Sequence, residues 1–257
     1  MNARTQPEPP TPDVQLLPLG DAALTVQFGL AIDSATHARV LGFDAVLAAA
    51  VAAGQIGGVI ETVPTFRSVT VHFDPDVIES EALAGALSEL AKAAGSVTAA
   101  GARWSIPVCF DADFALDLQD VAFAKQLTPQ AVLDTLMQCE FKVYMLGFLP
   151  GYAFMGGLPE LLEMPRLPSP RKRVPAGSVA IAQRMCGAYP WDSPGGWRVL
   201  GRTPVAMFDS RQSERPALLA PGDTVRWHAI GRAEYDTVLA QCAAGTFDRS
   251  TLRVEAA

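Results

Sequence analysis

Seven cationic side chains crowd one stretch of this sequence. Arg166, Arg171, Lys172, Arg173, Arg184, Arg198 and Arg202 lie between Met164 and Phe208, with Asp192 the lone acid among them. That excess of six positive charges inverts the sign of a chain whose net charge is −7. Arginine offers a planar fork of N–H donors matched to carboxylate and phosphate oxygens. Glycines nearby let backbone N–H groups approach an anion closely. The chemistry such a stretch can do is to hold an anionic ligand or an anionic intermediate. On charge alone, a solvated basic loop or a patch that docks an acidic partner explains it equally well.

Other chemistries find little support. The chain has no GxxxxGK[ST], HExxH or GxSxG run and no zinc-spaced ligand set, so no metal site is expected. Ser178 follows Gly177 but has no histidine nearby in sequence to activate it as a nucleophile. Cys109, Cys139, Cys186 and Cys242 lie far apart and read as reduced thiols of a cytoplasmic protein. His37, His72 and His228 are equally scattered, and His72 reads as structural. The acidic balance, with a pI near 5.0, argues against a nucleic-acid partner. No membrane span and no signal peptide are expected.

The elements that must position these residues fall into two regions. Leu16 to Phe28 reads as two short strands around Gly20-Asp21, and Ala35 to Ala53 as a helix started by Asp33-Ser34. Val59 to Val63 and Val69 to Phe73 read as paired strands, and Glu79 to Ala94 as a second helix. A disordered tail is expected over 1–13, a small α/β sandwich over 14–97, and a β-barrel domain over 98–257. In the barrel region Trp104 to Phe110, Phe141 to Leu146, Ser178 to Ala182, Trp197 to Gly201, Val205 to Phe208 and Asp223 to Ile230 read as strands. Asp117 to Gln126 and Pro129 to Met137 read as short helices. Nine of 21 glycines and nine of 20 prolines lie between Gly147 and Pro204, which excludes a long helix there. The fold class expected is α+β.

A resemblance emerges from the same block. Gly147-Phe148-Leu149-Pro150-Gly151-Tyr152, Pro170-Arg171, Val174-Pro175-Ala176-Gly177-Ser178, Gly187-Ala188-Tyr189-Pro190, Ser193-Pro194-Gly195-Gly196-Trp197 and Gly201-Arg202-Thr203-Pro204 follow one another in a known order. Together with Gly20-Asp21-Ala22-Ala23-Leu24 and Pro64-Thr65-Phe66-Arg67-Ser68, they resemble the family of the 5-oxoprolinase B subunit (PxpB), KipI and allophanate hydrolase subunit 1, also described as carboxyltransferase subdomains C and D. The resemblance implies that the C-terminal barrel is cyclophilin-like. It implies a component, inactive alone, that works with subunits A and C to open 5-oxo-L-proline or a related lactam or amide at the expense of ATP. ATP would be used by the complex, with no cofactor bound by this chain alone. Other branches imply half of a urea-carboxylase-like carboxyltransferase, with biotin on a partner, or an inhibitor that binds a histidine kinase. Within these motifs and the further one Pro165-Arg166, Arg166, Arg171 and Arg202 are the expected anion contacts. Ser178 and Thr203 are candidate hydrogen-bond donors, and Tyr189 and Trp197 candidate pocket walls.

The resemblance also has departures. Leu136 stands where the family usually has histidine, and Met185 where it usually has glutamine. If both faced the barrel cavity they would turn it apolar together. The expectation drawn from that is weak or absent 5-oxoproline turnover, with either action on another lactam or amide or a mainly structural role in the assembly.

Overall fold

The computed structural model describes residues 14–94 and 101–254. The tail expected over 1–13 and the boundary expected at residue 97 lie outside the described residues. The chain divides between residues 99 and 100 into two compact units.

The first unit is an antiparallel sheet with two helices. Strands β1 (Gln15–Pro18) and β2 (Ala23–Gln27) precede helix α1 (Ser34–Ala52), then β3 (Val59–Pro64), β4 (Ser68–Phe73) and helix α2 (Ser80–Ala93). The sheet order is β1-β2-β4-β3. In β4, Val69, Val71 and Phe73 are buried while Ser68, Thr70 and His72 face the other side, the two-residue period of a half-buried strand. Asp33 caps α1 by accepting from the Thr36 backbone N–H at 2.8 Å, which satisfies one of the donors a helix start leaves open. Phe43 and Leu47 of α1 and Leu83 and Leu87 of α2 pack with the inner face of the sheet. Helix α1 is long and apolar enough to cross a membrane by length and composition alone. Its buried residues, however, are those that fill this core.

The second unit carries β5 (Arg103–Val108), α3 (Leu118–Lys125), α4 (Pro129–Gln138), β6 (Phe141–Leu146), β7 (Ala153–Gly156), β8 (Arg171–Val174), β9 (Ser178–Ala182), β10 (Met185–Ala188), β11 (Ser193–Gly195), β12 (Arg198–Arg202), β13 (Thr224–Ala229), α5 (Arg232–Ala244) and β14 (Arg253–Val254). Eight of these strands form one sheet in the order β12-β9-β10-β7-β6-β13-β5-β14, with β8 and β11 a separate pair. Only β13 and β5 run parallel among the described pairs of that sheet. Beyond the end of β5, Cys109 exchanges two backbone hydrogen bonds with Arg202 of β12, at 2.8 and 2.9 Å. The chain is thus a mixed α and β protein with several sheets.

The two faces of the large sheet carry different cores. Val179 and Ile181 join Met155, Cys186, Leu200, Trp227 and residues of α3 and α4 in one cluster. Ala180 and Ala182, on the alternate positions of β9, join Tyr152, Tyr189, Trp197 and Val199 in another. Small residues are required beneath those rings. A Cβ at Gly187 would come within 2.9 Å of the Tyr152 hydroxyl oxygen.

Three expectations change. Val205 to Phe208 is not a strand; Val205 N–H turns back to Thr203 Oγ1 at 3.2 Å, and a single bridge links Phe208 to Ala217. Helix α5 had no sequence signal because only Tyr235 of its residues is buried, so it lacks an apolar stripe. The strands β7, β8, β10 and β11 were hidden by their brevity and their glycine and proline neighbours.

Asp223 joins distant parts of this unit. Its buried carboxylate accepts from the backbone N–H of Ala102 and Ala220, from Trp104 Nε1 and from Arg215 Nη2, at 2.8 to 3.0 Å. Asp223→Ala strands these donors at once. The expected loss is roughly 3 kcal/mol of unfolding free energy in urea titration; a loss below about 1 kcal/mol would contradict this role.

Candidate functional site

The seven residues singled out in the sequence fall in three places. Ser178, the first residue of β9, lies directly across from Arg202, the last residue of β12. Thr203 is tied in beside them, its N–H donating to the Gly177 carbonyl at 2.9 Å. Gly177 has φ +78°, and a Cβ there would lie 2.3 Å from the Thr203 carbonyl oxygen, so only glycine fits this close approach. Opposed residues on paired strands hold their Cβ atoms about 4.5–5.5 Å apart.

Two polar atoms of this cluster are buried without a hydrogen-bond partner among the described residues: Ser178 Oγ and Arg202 Nε. Unsatisfied buried groups are uncommon and cost on the order of 1–3 kcal/mol each. The Arg202 guanidinium lies 4.5 Å from the centroid of the Phe114 ring, a cation–π contact that leaves its donors open. It also lies near the Tyr235 hydroxyl, whose acidity is held down by burial and partly restored by Arg202 and Arg232. Asp192 lies close enough to feel Arg202. Its carboxyl is held below the usual range first by the Ala176 N–H, then by Arg173 and Arg202. Thr203 Oγ1 accepts from the Val205 N–H, which occupies a lone pair and leaves its O–H free to donate.

Tyr189 and Trp197 occupy the second place, and the structure corrects their expected role as open pocket walls. They are 2% and 4% exposed and pack edge-on around Tyr152, at 5.1 and 5.9 Å between ring centres. Burial pushes the Tyr152 and Tyr189 phenols up, and the positive charge of Arg166 acts against it on both. Arg166 itself is exposed, at the edge of an open depression shared with Lys125, Glu160, Glu163 and Gln183.

Arg171 is the second correction, in a third place. Its fork is filled by Asp117, with Nη1 to Oδ2 at 3.0 Å and Nη2 to Oδ1 at 2.7 Å. Asp117 is 1% exposed and also accepts from the Val199 N–H at 2.6 Å. Arg171 is therefore a structural partner to an internal carboxylate, with its charge already matched.

Part of the charge excess is cancelled by partners. Arg173 pairs with Asp192, and Arg198 reaches Asp120 at 3.8 Å. No ion pair joins Arg166, Lys172, Arg184 or Arg202 to a carboxylate among the described residues. Leu136 and Met185 do not meet. Leu136 of α4 is fully buried in the cluster that holds Trp227, whereas Met185 packs at the edge of the Tyr152 cluster. They cannot jointly make one cavity apolar, because they sit in different cores.

The sequence reading missed Asp117, Phe114, Tyr152 and Tyr235. From the sequence, Asp117 reads only as the start of a short helix. Among the described residues no group of three or more His, Cys, Asp or Glu side chains is placed to hold a metal. Burial pushes Cys186 up to about 12, so this thiol is inert at neutral pH.

The Asp117 pairing makes a prediction. Arg171→Met leaves Asp117 buried without its cation and is expected to cost roughly 3 kcal/mol in chemical denaturation. Arg173→Met, at the exposed pair with Asp192, is expected to cost less than about 1 kcal/mol. Equal losses would sink the distinction.

Comparison with known proteins bears on this geometry. A family model described as the carboxyltransferase domain, subdomains C and D, matches residues 14–219. The 5-oxoprolinase B subunit of Bacillus subtilis (strain 168) is 38% identical over 232 residues, covering 86% of this chain and 95% of that protein. The crystal structure of TTHA0988 is similar at a TM-score of 0.71 and 33% identity, covering 81% of this chain but only 40% of that longer one. The K. lactis urea amidolyase is similar in fold, with a TM-score of 0.78 at 21% identity, over 91% of this chain and 16% of that one. By the family model and by the likeness along nearly the whole of the B. subtilis protein, the chain belongs to the carboxyltransferase subdomain C and D family that includes the 5-oxoprolinase B subunits.

Proposed function

We propose that the chain is the B-type component of an ATP-dependent 5-oxoprolinase-like lactam or amide hydrolase, inactive alone and working in the cytoplasm with subunits of the A and C kinds. The observation that carries this reading is the 38% identity spanning 95% of a 5-oxoprolinase B subunit. ATP is a substrate of the assembly in this reading, and this chain needs no cofactor of its own. We also infer that the large sheet rolls into a cyclophilin-like barrel; the Cys109–Arg202 bridge, which joins β5 to β12, supports that closure.

In the proposed reaction, ATP phosphorylates the lactam oxygen and ADP leaves. Water attacks the activated carbon, the ring C–N bond breaks with the nitrogen taking up a proton as the amino group of L-glutamate, and the phosphoryl group leaves as inorganic phosphate. Negative charge gathers on the carbonyl oxygen, or on the phosphoryl group that activates it. Arg202 and Ser178 are the donors this reading assigns to such an oxygen, since each carries a buried polar atom without a partner among the described residues and the two stand opposite each other on paired strands. Arg166, exposed and without an ion pair among the described residues, contributes attraction for an incoming anion. Tyr189 and Trp197 support the layer behind it, and Thr203 fixes the strand end.

A second reading, half of a biotin-dependent carboxyltransferase with biotin on a partner, draws on the fold likeness to the K. lactis urea amidolyase. The separation of Leu136 from Met185 removes the argument that the two together make one cavity apolar, while each still stands where the resemblance implies a polar side chain. The test is co-expression with neighbouring subunits, followed by ATPase assays over lactams, ureas and amides. ATP-coupled turnover of 5-oxoproline is the expected outcome. Turnover of urea that avidin abolishes would favour the second reading instead. In the active assembly, Arg202→Gln is expected to lower kcat/KM by about 100-fold or more and Ser178→Ala by about tenfold, with assembly unchanged. Lys172→Ala, at an exposed side chain, should leave turnover within about twofold. Wild-type rates in Arg202→Gln would remove this cluster from the chemistry.

A further inference from the structure

A separate cavity of about 470 Å³ opens in the second unit at the far end of β5 from the Cys109–Arg202 bridge. Its lining brings together Trp104, Glu214, Arg215, Asp248, Arg249 and Arg253. None of these was singled out in the sequence, and none belongs to the Ser178–Arg202 cluster.

The pocket's floor is rigid. The Trp104 ring is held by its Nε1 bond to Asp223, and Arg215 and Arg253 both lie over it, at 5.3 and 5.2 Å from the centroid. Arg215 is spoken for by Asp223 at 3.0 Å. Arg249 is not: its Nη1 reaches the Arg215 and Pro216 carbonyls at 3.3 and 3.5 Å, while Nη2 is buried with no partner among the described residues. Burial weakens its hold on its proton, Asp209 opposes that, and the charge of Arg215 adds to it. A carboxylate in the cavity beside Arg249 would screen the two guanidinium groups from each other. Arg253 is exposed at the mouth, with no ion pair among the described residues.

The acids in the same lining narrow the ligand. Asp248 uses Oδ1 to accept from Ser250 N–H and Oγ–H, which leaves Oδ2 open, and Glu214 is exposed at the rim. Two carboxylates disfavour a bare polyanion but complement a ligand that carries an ammonium group as well. The mixed lining therefore fits a small zwitterion better than phosphate or a dicarboxylate. We propose that this pocket binds a free amino acid, its carboxylate taken by Arg249 and Arg253 and its ammonium by Glu214 and Asp248.

The test is a thermal-shift titration of the full 257-residue chain with each common amino acid in turn, with glutarate and inorganic phosphate as probes lacking an ammonium. At least one amino acid is expected to raise Tm along a saturating curve. Its apparent affinity should fall at least tenfold in Arg253→Gln and in Glu214→Gln, both at exposed positions where folding is retained. Arg249→Gln should abolish the shift. Glutarate and phosphate should act weakly and without saturation. No saturating shift from any amino acid would overturn the proposal, as would one that survives in both exposed variants. Equal shifts from phosphate and glutarate would mean an adventitious ion only. Because binding to the chain alone is measured, this result is independent of whether the assembly turns over 5-oxoproline.

Discussion

Asp117 sits where three separate segments of the second unit meet. Its carboxylate receives the fork of Arg171 from β8 and the N–H of Val199 from β12, and its own N–H returns to the Val199 carbonyl at 2.9 Å. An ionised carboxylate this deep is tolerated only when paired and fully hydrogen-bonded. That requirement fixes the β8–β11 pair over the face of the large sheet that carries Ala180 and Val199. The basic, glycine-rich excursion between β7 and β12 has few long elements of its own, so it depends on this anchor for a defined path. The Ser178–Arg202 pair lies on the strands that the anchor holds.

The same constraint explains the texture of the block. With β8 and β11 laid over β9 and β12, the space between must be filled, and it is filled by Tyr152, Tyr189 and Trp197. Rings of that size fit only over small residues. Ala180 and Ala182 supply them on β9, and Gly187 on β10. Gly195 answers to the same need, since a Cβ there would lie 2.3 Å from the Tyr189 hydroxyl oxygen. Much of what makes the segment recognisable is thus packing of aromatic against small, and only a minority of its residues remain free for chemistry.

The first unit was legible because its signals are local. Alternation in β4, the Asp33 cap and the leucine spacing of α2 each operate within a few residues. The second unit was legible where the same held, as in β6 and β9, whose bounds matched the apolar runs. Helix α5 stayed hidden because it buries so little. The site was legible as a charge excess but not as a set of partners, because neutralisation is non-local: Asp117 lies 54 residues from Arg171 and 82 from Val199. Leu136 shows the same limit from the other side. Its replacement of an expected histidine looked chemical in one dimension and is core packing in three.

Arg171 and Arg202 make the clearest contrast. They share a residue type, a motif block and a place among the expected anion contacts. Arg171 meets a buried carboxylate, so its charge is consumed in holding the fold together. Arg202 meets the face of Phe114 and a phenol, which steady a guanidinium without cancelling its charge. Its Nε stays unsatisfied beside an equally unsatisfied Ser178 hydroxyl. The fold pairs its buried charges at Asp117 and at Asp223, yet leaves these two groups open opposite each other on adjacent strands, as it also leaves Arg198 Nε and Arg249 Nη2 open elsewhere. That uneven satisfaction, more than the count of arginines, is what supports reading Arg202 and Ser178 as ligand contacts and Arg171 as part of the framework.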